Sequence, residues 1–255
     1  MSKDKNKKRG LLIMAANALG NNDDIPVRSL EAVREADMLI FEEDRPARAV
    51  LKTAGVHKEY FKYNEQSQTS TLENLREALQ NGQTAVYMSD QGCPTLEDPG
   101  REVVNTARKL NAKIRVIPGP SSVTSALSAC PFPTQAFEFN GFPPRDEYKR
   151  TAFLKNLIGR KKLQIIMDTP YRLKHVLDNC EKVFSDKVEG FLALDITGPD
   201  EDYLCGNFKA LIKEIEEIDK KLNFVLIINP MEERQQHQPK RRGRNNNRRP
   251  QKKYR

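Results

Sequence analysis

The chain has 255 residues, 38% hydrophobic and 31% charged, enough for one large folded unit or two smaller ones with polar appendages. Its net charge of +8 is unevenly spread: residues 234–255 hold ten Lys and Arg and no acid, residues 1–9 add +4, and the body 10–233 is acidic at −6. Cys93, Cys130, Cys180 and Cys205 lie far apart with no C-x-x-C pair, which argues against a metal site or a disulfide framework. Neither a signal peptide nor a bilayer-length apolar run is present, so a cytoplasmic setting with no membrane is expected.

From residue 10 onward, apolar runs alternate with amphipathic patterns. Leu11–Ala16 predicts a buried strand, and Asp24 a helix cap, with Pro26 in the first turn and Val27, Leu30 and Val33 facing inward. Met38–Glu43 predicts a strand, Ala47–Thr53 a short helix stopped by Gly55, and Tyr60–Tyr63 a third strand. Ser70 is expected to cap a helix carrying Leu72, Leu75 and Leu79, ended by Gly82. Two more strands, Thr84–Ser89 and Ile114–Ile117, flank a helix near Arg101–Leu110, and Ser121–Ala129 is a small-residue helix. Such alternation implies a mostly parallel sheet covered by helices. Pro131-Phe132-Pro133 marks a boundary. A second series follows: strands at Phe137–Phe142, Leu163–Met167, Gly190–Asp195 and Asn223–Ile228, helices at Thr151–Ile158, Tyr171–Cys180 and Phe208–Ile218. Beyond Pro230 the Arg-, Asn- and Gln-rich composition cannot bury a core.

Ligands of open parallel sheets gather outside the carboxyl ends of the strands. Four unusual loops fall there: Asn17-Ala18-Leu19-Gly20-Asn21, Glu42-Glu43-Asp44-Arg45, Ser89-Asp90-Gln91-Gly92-Cys93-Pro94 continuing to Asp98-Pro99-Gly100, and Pro118-Gly119-Pro120-Ser121-Ser122. The chain has no G-x-G-x-x-G after the first strand and no phosphate-binding P-loop. His57, His175 and His237 lie outside these loops, so no Ser–His–Asp or Cys–His arrangement can be argued.

In combination these loops resemble the tetrapyrrole (corrin/porphyrin) methylase superfamily, and within it the ribosomal RNA small subunit methyltransferase I family. That family's T-P-I-G-N-L-G-D-I loop is matched by Asn17 to Ile25, its E-D-T-R-x-x-R by Glu42 to Arg48, and its S-D-A-G-x-P-x-x-x-D-P-G by Ser89 to Gly100. P-G-P-S stands at Pro118 to Ser121, A-L-S-A at Ala126 to Ala129, and G-F-x-P-R at Gly141 to Arg145. E-S-P-H-R-L is matched by Asp168 to Leu173, and A-R-E-L-T-K by Ala193 to Gly198, with Leu194 and Gly198 replacing an arginine and a lysine. Thr-Pro of the first loop is Asn17-Ala18.

The resemblance implies two α/β domains of the class III S-adenosylmethionine methyltransferase type, residues 10–130 and 131–232, with the cofactor cleft between them. A basic extension (1–9) and a basic disordered tail (233–255) would flank them. It implies S-adenosylmethionine as methyl donor, held by Leu19, Gly20, Ser89, Asp90, Gly92, Pro94, Ser121 and Ser122, with Pro170 and Leu194 walling the adenine. The acceptor implied is a ribose 2′-hydroxyl of ribosomal RNA, naked or in the small ribosomal subunit, and the protein is expected to be a homodimer. A 2′-hydroxyl is a poor nucleophile and gains from proton removal, for which Glu42, Glu43 and Asp195 are candidates, while Arg45 and Arg48 are suited to a phosphate. Besides the more distant diphthamide-forming branch, which methylates a protein, two alternatives remain. One is a tetrapyrrole methyltransferase, whose G-x-G-P-G-D-P-type first loop is absent here. The other is a catalytically silent RNA-binding or ribosome-assembly protein, motivated by Asn17-Ala18, Leu194 and Gly198.

Overall fold

The computed structural model describes residues 9–230; the extension before Arg9 and the tail expected to be disordered lie outside the described residues. The first half builds a five-stranded, wholly parallel sheet from β1 (Leu11–Ala15), β2 (Met38–Phe41), β3 (Phe61–Lys62), β4 (Thr84–Met88) and β5 (Lys113–Ile117), in the order β3-β2-β4-β1-β5. Alternation along β1 divides its side chains between two cores. Ile13 and Ala15 pack with α1 (Val27–Glu35) and α2 (Asp44–Ala54), whereas Leu12 and Met14 pack with α3 (Gln68–Gln80) and α4 (Arg101–Lys109).

Helix starts moved from their expected places. Asp24 ends a short 3-10 turn, Asn22–Asp24, capped by the Asn21 side chain, and α1 begins only after Pro26. With that start, Ser29, Ala32 and Val33 form the buried face and Val27 is 68% exposed, against the inward position expected for it. Ser29 seals the turn by donating to the Ala16 carbonyl at 2.8 Å. Ser70 is inside α3, one turn after the cap residue Ser67, and donates back to the Ser67 carbonyl.

The second half forms another five-stranded sheet from β6 (Phe137–Phe139), β7 (Leu163–Asp168), β8 (Glu189–Leu194), β9 (Asp202–Asn207) and β10 (Phe224–Asn229), in the order β6-β7-β10-β8-β9. Only β6 and β7 pair in parallel; β10 runs antiparallel to both neighbours, and so does β9 to β8. The mostly parallel expectation therefore holds for the first sheet alone. Strand β9 escaped the sequence reading because it is an edge strand of mixed polarity, largely exposed on both faces.

Helices α6 (Glu147–Lys155), α7 (Leu173–Val183) and α8 (Phe208–Glu216) cover one face of this sheet, burying Ile166, Leu192, Leu194, Leu226 and Ile228. The opposite face, with Ile165, Ala193, Val225 and Ile227, is packed by Val123 and Ala126 of α5 (Ser122–Ala129), which follows directly from the first sheet. One short helix thereby joins the two halves through a shared apolar core.

Candidate active site at the junction of the two sheets

The carboxyl ends of β1, β2 and β4 point toward the second sheet, and two cavities open there. The first, about 240 Å³, is lined by Leu19, Gly20, Gln91, Gly92, Ser121 and Ser122 from the first half. Phe142, Asp168, Pro170, Asp195, Ile196 and Phe224 are among its lining residues from the second. The other, about 680 Å³, lies against α2 and is lined by Asn17, Glu42, Arg45, Pro46 and Asp90, among others. Leu19, Gly20, Gln91 and Asp98 border both. The space is therefore one bipartite cleft.

The halves are held in register by close backbone contact. Thr197 Oγ1 accepts hydrogen bonds from the Gly20 and Asn21 amides at 2.9 and 3.2 Å. A Cβ on Gly20 would come within 2.8 Å of the Gly198 nitrogen, so this contact requires a glycine. Asn17, 4% exposed, bonds from its amide nitrogen to the Ser89 and Asp90 carbonyls at 3.1 and 2.9 Å, and accepts from the Ala18 amide. The β1 and β4 loops are thus tied into one wall. Non-glycine residues with positive φ cluster on both sides of the cleft: Thr95 and Glu97 in the β4 loop, Asp195 and Thr197 after β8. Backbone strain of this kind persists only where surrounding packing imposes it, and it concentrates at ligand sites.

The electrostatics of the α2-side cavity are unusual. Glu42 is 9% exposed and accepts a hydrogen bond from the fully buried Tyr87 hydroxyl at 2.8 Å. Burial pushes its carboxyl up to about 8, the Tyr87 bond opposes the rise, and Asp98, Asp90 and Glu43 add to it. Burial likewise raises Asp98 to about 6, with Asp90 and Glu97 adding to it, and raises Asp90 in the same direction. Tyr87 is fixed from below: the Gly100 backbone, at φ +121°, lies so close that a Cβ there would sit 2.9 Å from the ring. The glycine of the Asp98-Pro99-Gly100 segment therefore admits the ring whose hydroxyl holds Glu42.

A family model for tetrapyrrole (corrin/porphyrin) methylases matches residues 12–212. The chain belongs to this family. Among its relatives, a protein from Leptospira borgpetersenii named ribosomal RNA small subunit methyltransferase I is 29% identical over 91% of this chain and 93% of its own length. One of the same name from Thermotoga maritima is 28% identical over 81% and 92%. Among solved structures, uroporphyrin-III-C-methyltransferase from Thermus thermophilus is similar in fold, with a TM-score of 0.59 at 18% identity over 88% of this chain and 96% of that one.

In this methylase the residues singled out from sequence separate into three groups. Leu19, Gly20, Gly92, Ser121, Ser122, Pro170 and Asp195 line the first cavity, and Glu42, Arg45 and Asp90 the second. Ser89, Glu43 and Pro94 line neither. Ser89 is buried and donates to the Gln91 carbonyl, and Glu43 is exposed, giving its amide to the Asp90 carboxylate at 3.2 Å. Leu194 is a correction: it points into the helix-covered core with 0% exposure, and the neighbours Asp195 and Ile196 reach the cleft instead. Arg48 faces a different groove, beside Lys52 and His57.

Asp98, which the sequence marks only as part of the Ser89-to-Gly100 segment, borders both cavities, and its place between Gly92 and Gly100 is the signal that points to it. Asn223, Phe224 and Val225 were missed because β10 runs antiparallel, so its start, not its end, meets the cleft. Asp168 lines the cleft and is paired with Arg172 at 3.0 Å. Arg172 also donates to the Pro143 and Pro144 carbonyls, which commits that guanidinium to holding the Pro-Pro turn.

Proposed function

We propose that this methylase transfers a methyl group from S-adenosylmethionine to a ribose 2′-hydroxyl of small-subunit ribosomal RNA, with Glu42 as the base. The observation that carries the proposal is the bipartite cleft, whose two parts meet at Leu19, Gly20, Gln91 and Asp98 and whose wall holds a buried carboxyl. The relatives named as ribosomal RNA methyltransferases support the acceptor.

The first cavity fits the donor chemically. Phe142, Pro170, Ile196 and Phe224 offer apolar surface to a purine, Gly92 and the start of α5 bring backbone close, and Asp195 complements a cationic ligand. When bound, S-adenosylmethionine supplies an electrophilic methyl carried on a sulfonium. The protein's own task is to align the hydroxyl, exclude water and remove a proton. With the donor bound, Glu42 would accept the proton that the acceptor hydroxyl loses on methylation. A carboxyl raised to about 8 is a stronger base than an ordinary glutamate, and its minor ionised fraction is the form that acts at neutral pH. Its neutrality in the remaining molecules also lowers the negative charge that an RNA backbone meets on entering. Arg45, exposed on the rim of the same cavity, is placed to meet a phosphate.

Asn17-Ala18 and Gly198, which motivated the silent-binder reading, make ordered contacts that close the cleft wall, and this favours the enzyme. The proposal extends to a homodimer working in the cytoplasm. Among the described residues no helix is long and apolar enough to cross a membrane. The test is mapping of 2′-O-methyl groups on ribosomal RNA from a strain lacking the gene. One lost modification, restored by the wild-type gene and not by Glu42→Gln, is the expected result; an unchanged methylation map overturns the acceptor. Light scattering of the purified chain checks the dimer.

A further inference from the structure

The end of the first sheet opposite the cleft carries a second feature. Where β1 and β5 begin, an open groove of about 520 Å³ is lined by Arg9, Leu11, Arg108, Asn111, Ala112, Lys113, Ile114 and Arg115. Four of these are cations and none is an acid. Arg108, Lys113 and Arg115 are exposed, and none forms an ion pair among the described residues. Four cations collected without an acid in one groove give a net-acidic body (−6 over 10–233) a local patch of positive charge.

The geometry of the groove is built rather than incidental. β5 is an edge strand, and Lys113 and Arg115 stand two residues apart on one face of it, paired in register with Leu11 and Ile13 of β1. Arg108 comes from the last turn of α4. Arg9 is fixed by donating to the backbone carbonyl and the side chain of Asn111, a residue with φ +56°. In sequence, Lys7 and Lys8 directly precede Arg9.

We infer that this groove is a second RNA-backbone site, binding phosphates of the same ribosomal RNA at a distance from the nucleotide that is methylated. The inference rests on the RNA methyltransferase reading and deepens it. The groove and the cleft lie at opposite ends of β1, five residues and roughly 16 Å apart along the strand. A ligand touching both must run around the body, which suits a folded RNA or an assembled subunit better than a short single strand. Charged side chains on an exposed edge also discourage strand-to-strand association, and that role predicts a different outcome.

The test compares wild type with the Arg108→Gln, Lys113→Gln, Arg115→Gln triple variant, measuring affinity for small-subunit ribosomal RNA against salt. Three lost phosphate contacts are expected to lower the slope of log affinity on log salt by about 2–3, and affinity near 0.1 M salt by roughly a hundredfold. KM for RNA rises, while kcat at saturating RNA and binding of S-adenosylmethionine stay unchanged. Arg108→Gln alone leaves the edge strand intact and is expected to lower the slope by about 0.7–0.9, which keeps the test open if the triple variant self-associates. An unchanged slope in both variants overturns the inference, and self-association with an unchanged slope assigns the charges to edge protection. Loss of binding to phosphatidylserine vesicles without loss of RNA affinity overturns it in favour of a membrane. If the groove variants lose RNA affinity but the wild type methylates no ribosomal RNA, the groove stands and the proposed activity falls.

Discussion

The two ends of the first sheet use charge in opposite ways. At the carboxyl ends of β2 and β4, Glu42, Asp90 and Asp98 are drawn together and partly taken out of water, so their protonation changes. At the amino ends of β1 and β5, Arg9, Arg108, Lys113 and Arg115 stay at the surface and act by charge alone. A parallel sheet makes this division natural, because every crossover returns the chain to the amino ends of the strands and leaves the carboxyl ends for the ligand loops. The comparison predicts that chemistry and RNA affinity can be damaged separately.

The largest effect is expected from Glu42→Gln, an isosteric change that removes the base. Single-turnover methylation falls by about 10²–10⁴-fold, and the rise of kcat/KM with pH near 8 disappears, while the salt dependence of RNA binding is unchanged. An undiminished rate removes Glu42 from the mechanism and dissolves the contrast between the two ends.

Gly100→Ala tests how the acidic end is held. A side chain at φ +121° facing the Tyr87 ring is expected to cost about 1–3 kcal/mol of stability and roughly tenfold in rate. The companion Tyr87→Phe deletes the hydrogen bond that lowers the Glu42 value, so the limb of the pH profile near 8 moves upward. A limb that does not move separates Tyr87 from the reactive carboxyl.

A smaller loss is expected from Thr197→Ala, which strips the acceptor from the Gly20 and Asn21 amides at about 1 kcal/mol. Calorimetry should show S-adenosylmethionine binding weakened several-fold, with the salt dependence of RNA binding retained.

The last prediction concerns stability rather than rate. Glu42 is raised from 4.5 unfolded to about 8 folded, so the folded chain keeps a proton that the unfolded chain has lost. Its contribution favours folding at low pH, and stability declines as pH rises from about 4.5 to 8. Glu42→Gln should flatten this part of the profile, read from urea midpoints at pH 5, 7 and 9.

Much of this protein was legible before folding was considered. Strand and helix order in the first half follows from apolar runs alternating with helical periodicity, and the loops that meet at the cleft are recognisable from their glycines, prolines and carboxylates in fixed order. Those are local properties, carried by neighbouring residues. Tertiary structure alone decided the direction of β10, and with it the entry of Asn223–Val225 into the site, because an apolar strand reads the same in either direction. It also decided that Leu194 faces the core while Asp195 faces the cleft, since alternation names two faces without saying what covers each. Sequence could nominate Glu42 and Glu43 equally. Only burial against Tyr87, beside Asp98, distinguished the one whose proton is held from the one that water solvates.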